Sequence, residues 1–341
     1  MKNNGIEMTE EIIVKLFENI GLGTVLLPIS PVSGGFLHKI FKVTAESGVF
    51  AVKRLNPEIM RRPDAMGNFK AAEALESVLE EAGIPIVPAL TINGSKLQEC
   101  FGEHFYVFRW QKGKVAEAHD ITSEQCRTAG SILGRIQAIA PCEVQKSEPD
   151  ISRINWSDHA ERALKQGSRV GALLKENEPL IERAQNELNK ARAALPGIEC
   201  IVNEDMDPKN VLWDGGAPFV IDLECLERGN PVSSAIQLSL QWAGSTVFEL
   251  DFEKLKAFFD GYLESYDNGF RDYAAVFGLS YIWLEWLEYN VTRALASSLD
   301  EAERTLGLSE VENTIKKIRY LDSIEAEVKR RLSHWFSPSE A

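Results

Sequence analysis

The chain has 341 residues, 44% hydrophobic and 26% charged, so it can bury a large core in roughly two domains. Collagen-like, disordered and small disulfide-scaffold classes are excluded. Its 37 basic and 51 acidic residues leave a net charge of −14, which argues against partners such as nucleic acid or an anionic membrane and weakly favours a cationic ligand. The 5 cysteines are scattered, with no C-x-x-C pair, and read as reduced thiols. The opening MKNNGIEMTEEIIVKLF carries acids early and is no signal peptide. The longest uncharged stretch, 229–248, is too polar to span a bilayer. The expected location is the cytoplasm.

A short helix around Thr9–Asn19 comes first. Residues 24–113 then read as strands and turns around one helix. IFKVTA (40–45) and VFAVKRL (49–55) are rich in β-branched and aromatic residues, and the Glu-Ser-Gly turn at 46–48 joins them as a hairpin. NFKAAEALESVLEE (68–81) reads as a helix that stops at Gly83, with Pro85 beyond. Three strand-like runs follow, 86–92, 95–101 and 104–110, closed by a turn at 111–113. From there the chain is mostly helical. Thr122-x-x-Gln125 and Ser309-x-x-Glu312 read as capping boxes. Residues 157–195 are charged and periodic, as in an amphipathic helix or helix pair. One patch, 199–225, reads as strand, polar loop, strand, Gly-Gly turn, strand. There is no internal repeat and no low-complexity segment. The boundary falls near Lys112–Ala116, which divides the chain into 1–113 and 114–341.

The polar loop carries the clearest chemistry. Asp205 and Asn210 form D-x-x-x-x-N, and Asp222 follows in I-D-L-E. Phosphoryl transfer needs a carboxylate to orient and deprotonate the attacking hydroxyl, and metal ions bridging the phosphates. An Asn amide oxygen and a second Asp suit Mg²⁺, which takes hard oxygen ligands and tolerates waters. A hairpin through Asp214-Gly215-Gly216 would bring Asn210 and Asp222 near one point. Ser33, Gly34 and Gly35 lie between two strand-like runs, where glycine lets backbone N–H groups approach phosphate. Lys53, in A-V-K on the strand after the first hairpin, could reach the α- and β-phosphates. Glu73 on the following helix is placed to pair with it, with Glu76 as the alternate. Each feature alone is ordinary. Their order follows that of the protein-kinase signature set.

With these residues the chain resembles the aminoglycoside phosphotransferase/choline kinase family of small-molecule kinases. The family loop H-G-D-L-H-P-G-N-[VI]-L is matched by Asn203-Glu204-Asp205-Met206-Asp207-Pro208-Lys209-Asn210-Val211-Leu212. The family I-D-[WF]-[ED] is matched by Ile221-Asp222-Leu223-Glu224. The resemblance covers roughly residues 24–290. It implies an α+β, two-lobed protein-kinase-like fold, with a small antiparallel-sheet N-lobe and a larger, mainly helical C-lobe. It implies Asp205 as catalytic base, Asn210 and Asp222 as magnesium ligands, Lys53 as the phosphate-binding lysine and Glu73 as its partner. Residues 33–37 would cover the nucleotide, and the backbone around Phe108–Trp110 would receive the adenine. Three departures stand out: Asn203 and Asp207 replace the two family histidines, and Leu223 replaces an aromatic residue.

The expected activity is transfer of the γ-phosphate of ATP, or of GTP, with Mg²⁺ to a hydroxyl of an aminoglycoside-, amino-sugar- or choline-like acceptor. Asn203 and Asp207 favour the alternative, a weak or inactive kinase-derived nucleotide-binding module. In YIWLEWLEYNVTR (281–293), Glu285 and Glu288 share a helix face beside Trp283 and Trp286, a wall that would suit a cationic acceptor. The other reading is a core-facing aromatic stripe. The 5 histidines show no metal spacing and read as structural or surface residues. No G-x-S-x-G and no G-x-x-x-x-G-K-[ST] occurs, so neither hydrolase nor P-loop chemistry is supported.

Overall fold

In the computed structural model, which describes residues 2–32, 38–145, 151 and 153–337, the chain forms two units. One holds the residues up to Ala116 together with Lys209–Glu227, and the other holds Glu117–Pro208 and the chain from Arg228 on. The cut after Ala116 lies in the expected stretch, but the return of 209–227 to the first unit is not legible from composition.

The first unit opens with α1 (Lys2–Ile20), longer than the expected helix around Thr9–Asn19. Ile12, Ile13, Leu16 and Phe17 form its buried stripe at helical spacing. Beyond it β1 (Val25–Val32), β2 (Lys39–Ala45) and β3 (Gly48–Arg54) run antiparallel. A short helix, α2 (Pro57–Met60), precedes α3 (Ala65–Glu81); then come β4 (Gln98–Cys100), β5 (Glu103–Arg109) and the two-residue β6 (Lys114–Val115). The sheet order is β1-β2-β3-β5-β4. Side chains alternate between its faces. Phe50, Val52, Phe105 and Val107 pack with the α1 stripe, where Phe17 meets Phe50 edge-on at 5.5 Å. Tyr106 joins Leu55, Ala65, Phe69 and Ala89 in a second cluster.

The run 86–92 forms no regular strand. It makes isolated bridges, Ile86 to Val220, Ala89 to Phe108 and Ile92 to Ser95, because Pro85 and Pro88 remove two of the donors a ladder needs. Of 95–101, only Gln98–Cys100 pairs as a strand.

The second unit begins with α4 (Ser123–Gln137), entered through the expected capping box. The Gln125 N–H donates to Thr122 Oγ1 at 3.2 Å, and the Thr122 N–H donates to Gln125 Oε1 at 2.9 Å. A two-residue strand, β7 (Cys142–Glu143), pairs antiparallel with β8 (Ile198–Asn203). Between them the charged periodic stretch makes three helices: α5 (Trp156–Lys165), α6 (Arg169–Glu176) and α7 (Glu178–Ala194). The chain ends in α8 (Pro231–Trp242), α9 (Phe252–Ser265), α10 (Trp283–Leu295) and α11 (Glu301–Phe336). Close packing of α4 on α9 requires small residues: a Cβ at Gly130 would overlap the Phe258 carbonyl, and one at Gly261 that of Arg127. Ser309-x-x-Glu312 starts no helix. It lies inside α11, which Asp300 caps by accepting from the Glu303 N–H at 2.9 Å. Among the described residues, no helix is long and apolar enough to cross a membrane, and no two cysteines form a disulfide.

The returning segment is a tight hairpin of the first unit. β9 (Val211–Asp214) pairs with β10 (Ala217–Val220) around Gly215 and Gly216, which sit at φ +57° and +93° as a two-residue turn of this hand demands. The hairpin belongs with the sheet unit because β6 pairs along β9, the Val220 N–H donates to Pro85 O, and the Val87 N–H donates to Val220 O.

Candidate active site

Strand parity decides where Lys53 points. Phe50 and Val52 face the α1 cluster, so Lys53 faces the other side of the sheet, where its cross-strand neighbour is Tyr106. Lys53 is only 4% exposed. Its ammonium donates to Asp222 Oδ1 at 2.8 Å. Glu224 Oε1 also lies 2.8 Å away, an ion pair without a well-aligned hydrogen bond. Burial alone would push Lys53 toward the neutral amine. The charges of Glu224 and Asp222 outweigh it, and the lysine ends above its ordinary value.

The hairpin delivers both acids. After β10 the Ile221 N–H donates to the Asn210 carbonyl at 2.9 Å, so the ends of the two strands meet as their spacing predicts. Asp222 then adopts φ 60°, ψ 65°, a left-handed conformation that costs a non-glycine residue about 1 kcal/mol or more and concentrates at functional sites. A single 3₁₀ turn, Leu223–Cys225, buries Leu223 and directs Glu224 at Lys53. Leu223 therefore fills, as an aliphatic core residue, the position where the resemblance expects an aromatic one. Glu224 Oε2 is 3.3 Å from His38 Nε2. Burial works against the Glu224 carboxylate, but His38 and Lys53 hold it below its ordinary value.

The expected Lys53–Glu73 pair does not form. Glu73 Oε1 instead accepts the hydroxyl of Tyr106 at 2.7 Å, and the buried Tyr106 phenol is pushed far up by burial and by that bond. Tyr106 stands opposite Lys53 on the neighbouring strand and the same face, so the tyrosine takes the Glu73 carboxylate. Glu76, the alternate, is buried too. It accepts from Lys96 Nζ at 2.7 Å and from the Ala89 N–H at 2.8 Å. Burial raises its carboxyl despite Lys96.

Asp205 belongs to the second unit, on the loop after β8. It is half-buried. Asn203, in place of the family histidine, is fully buried, and its Oδ1 accepts the Asp205 N–H at 3.2 Å. Its Nδ2 has no hydrogen-bond partner among the described residues. Met206 pins the same loop: its N–H reaches Asn203 O at 3.3 Å, and its carbonyl accepts the Trp242 indole N–H at 2.9 Å.

Elsewhere the expectations meet mixed outcomes. The Trp110 N–H donates to Val49 O at 2.9 Å, and Lys42 Nζ sits 4.4 Å from its ring. Phe108 lies in the ladder opposite Ala51. Ser33, Gly34 and Gly35 fall outside the described residues. Glu285 pairs with Arg192 at 2.5 Å, and Glu288 lies 3.1 Å from His159 Nε2. Trp283 lies under Lys317, and Trp286 stacks on Tyr289 and donates to Glu310. The face expected to receive a cationic acceptor thus already has its own basic partners.

Among the described residues no group of three or more His, Cys, Asp or Glu could hold a metal ion. The donors at the hairpin end are an amide, Asn210, and the carboxylate of Asp222, whose side chain is 34% exposed. Two hard oxygen groups suit Mg²⁺ chemically, though Asn210 is itself buried. Two residues of this cluster escape sequence reasoning in their roles. Glu224 is visible only as the last letter of I-D-L-E, and His38 has no metal spacing to single it out from the other histidines. Its place directly after the glycine stretch is the available signal.

A family model, the phosphotransferase enzyme family, matches residues 28–277. Among solved structures, a spectinomycin phosphotransferase complexed with ADP and spectinomycin superposes with TM-score 0.65 at 12% identity, covering 91% of this chain and 97% of that one. An amicoumacin kinase in complex with AMP-PNP and Ca²⁺ gives 0.57 at 14%, covering 89% and 93%. The ethanolamine kinase of Plasmodium vivax gives 0.53 at 13%, covering 84% and 82%. At these identities the likeness is one of fold, and that fold is kinase-like, as the sequence implies. No curated protein sequence matches the chain.

Proposed function

Since the chain belongs to the phosphotransferase enzyme family, we propose that it transfers the γ-phosphate of ATP to a hydroxyl of a small molecule. The observation that carries this reading is the buried Lys53 held on Asp222, the aspartate of I-D, beside the Asn210 end of the hairpin. A buried ammonium that remains charged is a fixed positive group for the α- and β-phosphates. Asn210 and Asp222 would hold Mg²⁺, which would supply charge neutralisation of the phosphates. Asp205 would orient the acceptor hydroxyl and take its proton. The Asn203 Oδ1 contact supports Asp205 in that role, because it fixes the backbone that carries the carboxylate.

The acceptor we propose is aminoglycoside-, amino-sugar- or choline-like. The solved relatives that bind spectinomycin or act on ethanolamine support that range. The net charge of −14 favours a cationic member of it. The place of action we propose is the cytoplasm. The test is nucleoside-diphosphate release from ATP or GTP with Mg²⁺ across aminoglycosides, amino sugars, choline and ethanolamine. Acceptor-dependent release that vanishes in Asp205→Ala supports the reading. Mg-nucleotide binding without release for any acceptor favours the non-catalytic module suggested by Asn203 and Asp207.

A further inference from the structure

The order of motifs predicts that a glutamate from α3 orients Lys53. The structure gives the ammonium other partners, and we propose that Glu224, steadied by His38, is the residue that positions Lys53 for the nucleotide phosphates. This rests on the kinase reading and deepens it by naming a positioning residue.

Three observations lead there. First, the two α3 carboxylates that the motif order offers are engaged elsewhere: Glu73 with the Tyr106 hydroxyl, Glu76 with Lys96 and the Ala89 N–H. Second, the two acids that do reach Lys53 are unequal. Asp222 is the metal donor of the proposed mechanism, and its side chain is 34% exposed; that of Glu224 is 16% exposed. A lysine anchored on Asp222 alone would share its only partner with the cation. Glu224 supplies an anchor that the cation does not require. Third, Glu224 is itself fixed from behind. The Asn56 N–H donates to His38 Nδ1 at 3.0 Å. That nitrogen must therefore offer a lone pair, which places the ring proton on Nε2, the atom 3.3 Å from Glu224 Oε2. Asn56 is in turn the N-cap of α2, accepting from the Glu58 N–H at 2.9 Å. A continuous series of contacts thus runs from a helix N-terminus through His38 and Glu224 to the ammonium. Two opposite charges 2.8 Å apart in a poorly solvated site attract far more strongly than on the surface.

The test uses the full chain and three readouts: the dissociation constant of metal-free ADP, that of Mg-ADP, and thermal unfolding without nucleotide. Glu224→Gln is expected to weaken metal-free ADP binding by about tenfold, as when one hydrogen bond or ion pair to a charged group is removed. The same change in a Lys53→Met background is expected to add nothing, because the anchor has no lysine left to hold. His38→Gln should show a smaller loss that likewise disappears in the Glu224→Gln background. Glu73→Gln should change ADP affinity by less than about twofold. Additive effects of Lys53→Met and Glu224→Gln would overturn the proposal. So would a tenfold loss in Glu73→Gln, or a Glu224→Gln defect confined to Mg-nucleotide, which would make Glu224 a metal ligand instead. If the wild-type chain binds no ADP, the kinase reading fails on its own. The unfolding cycle then still decides whether Glu224 anchors Lys53: coupling between the two positions sustains the anchor, and additivity overturns it.

Discussion

Acidic side chains meet basic ones in two contrasting ways in this chain. Around Lys53, two carboxylates converge on one buried ammonium, and His38 backs Glu224 while its own Nδ1 accepts the Asn56 N–H. The carboxylates outnumber the ammonium two to one. Along α10, Glu285 and Glu288 each take a separate basic partner, from α7 and α5, and remain 51% and 41% exposed. The first arrangement is costly, because charges are withdrawn from water and imperfectly balanced. The second arrangement gives each acid a partner of its own and leaves it solvated, and pairs of that kind contribute about 1 kcal/mol or less. Closeness of acids in sequence therefore carries no functional meaning until burial and stoichiometry are known.

The largest expected effect comes from a carboxylate in neither group. Asp205→Ala should lower turnover by about 10²–10⁴-fold, the usual contribution of a positioned general base. Nucleotide affinity should stay within about twofold, because the proposed mechanism assigns binding to Lys53 and the hairpin. Steady-state kinetics paired with calorimetric ADP titration separates the two. Parallel losses of turnover and affinity would instead mean that the loop after β8 is structural.

Next is the other buried pair of the first unit, Glu76 with Lys96, which resembles the Lys53 cluster in burial but is balanced one to one. Lys96→Met strands a buried carboxylate and should destabilise the fold by about 3–5 kcal/mol in urea unfolding. Glu76→Met together with Lys96→Met should recover most of that loss, because no uncompensated charge remains. A mild single-variant effect would show that the site is wetter than its burial suggests.

Thiols extend the comparison to groups that burial keeps neutral. Cys126 and Cys200 are buried in the second unit and pushed up to about 12, well above the ordinary value of a thiol, chiefly by burial. The sign follows from linkage. The folded state holds these protons more tightly than the unfolded state, so their contribution is complete below about pH 9 and is lost as pH rises toward about 12. Urea midpoints should therefore fall between about pH 8 and about pH 10.5, and Cys126→Ala should flatten that slope. Cys142 and Cys225, both exposed, should react first with a maleimide at about pH 8.

How far the sequence reaches depends on whether a feature is local. The A-V-K strand, the capping box at Thr122 and the Gly-Gly hairpin are set by residues within a few positions of each other, and all are legible. Features fixed by tertiary packing are not. Residues 86–92 have strand composition, yet their backbone partners lie at Val220, Phe108 and Ser95, and the prolines forbid a ladder. Ser309 looks like a helix start, but the helix is already running from Asp300, and burial of Val311, Ile315 and Ile318 carries it on. Lys53 is legible as a residue and illegible in its partner. The choice between Glu73 and Glu224 turns on Tyr106, a cross-strand neighbour that no spacing rule reports.

The smallest expected effect tests the surface arm of the comparison. Glu285 is half exposed and bound to Arg192, whose own side chain is 15% exposed. If the pair is structural, Glu285→Gln should cost under about 1 kcal/mol of stability. It should also leave the KM for any accepted cationic substrate within about twofold, because the neutral amide removes no charge that the substrate was using. If the α10 face receives the acceptor amine, the same variant should raise that KM by about tenfold or more, the scale expected when a charge-assisted hydrogen bond is removed. It should then leave the KM of a neutral acceptor unchanged. Measuring both acceptors with one variant separates a helix tie from a specificity wall, a distinction that charge count and helical spacing do not make.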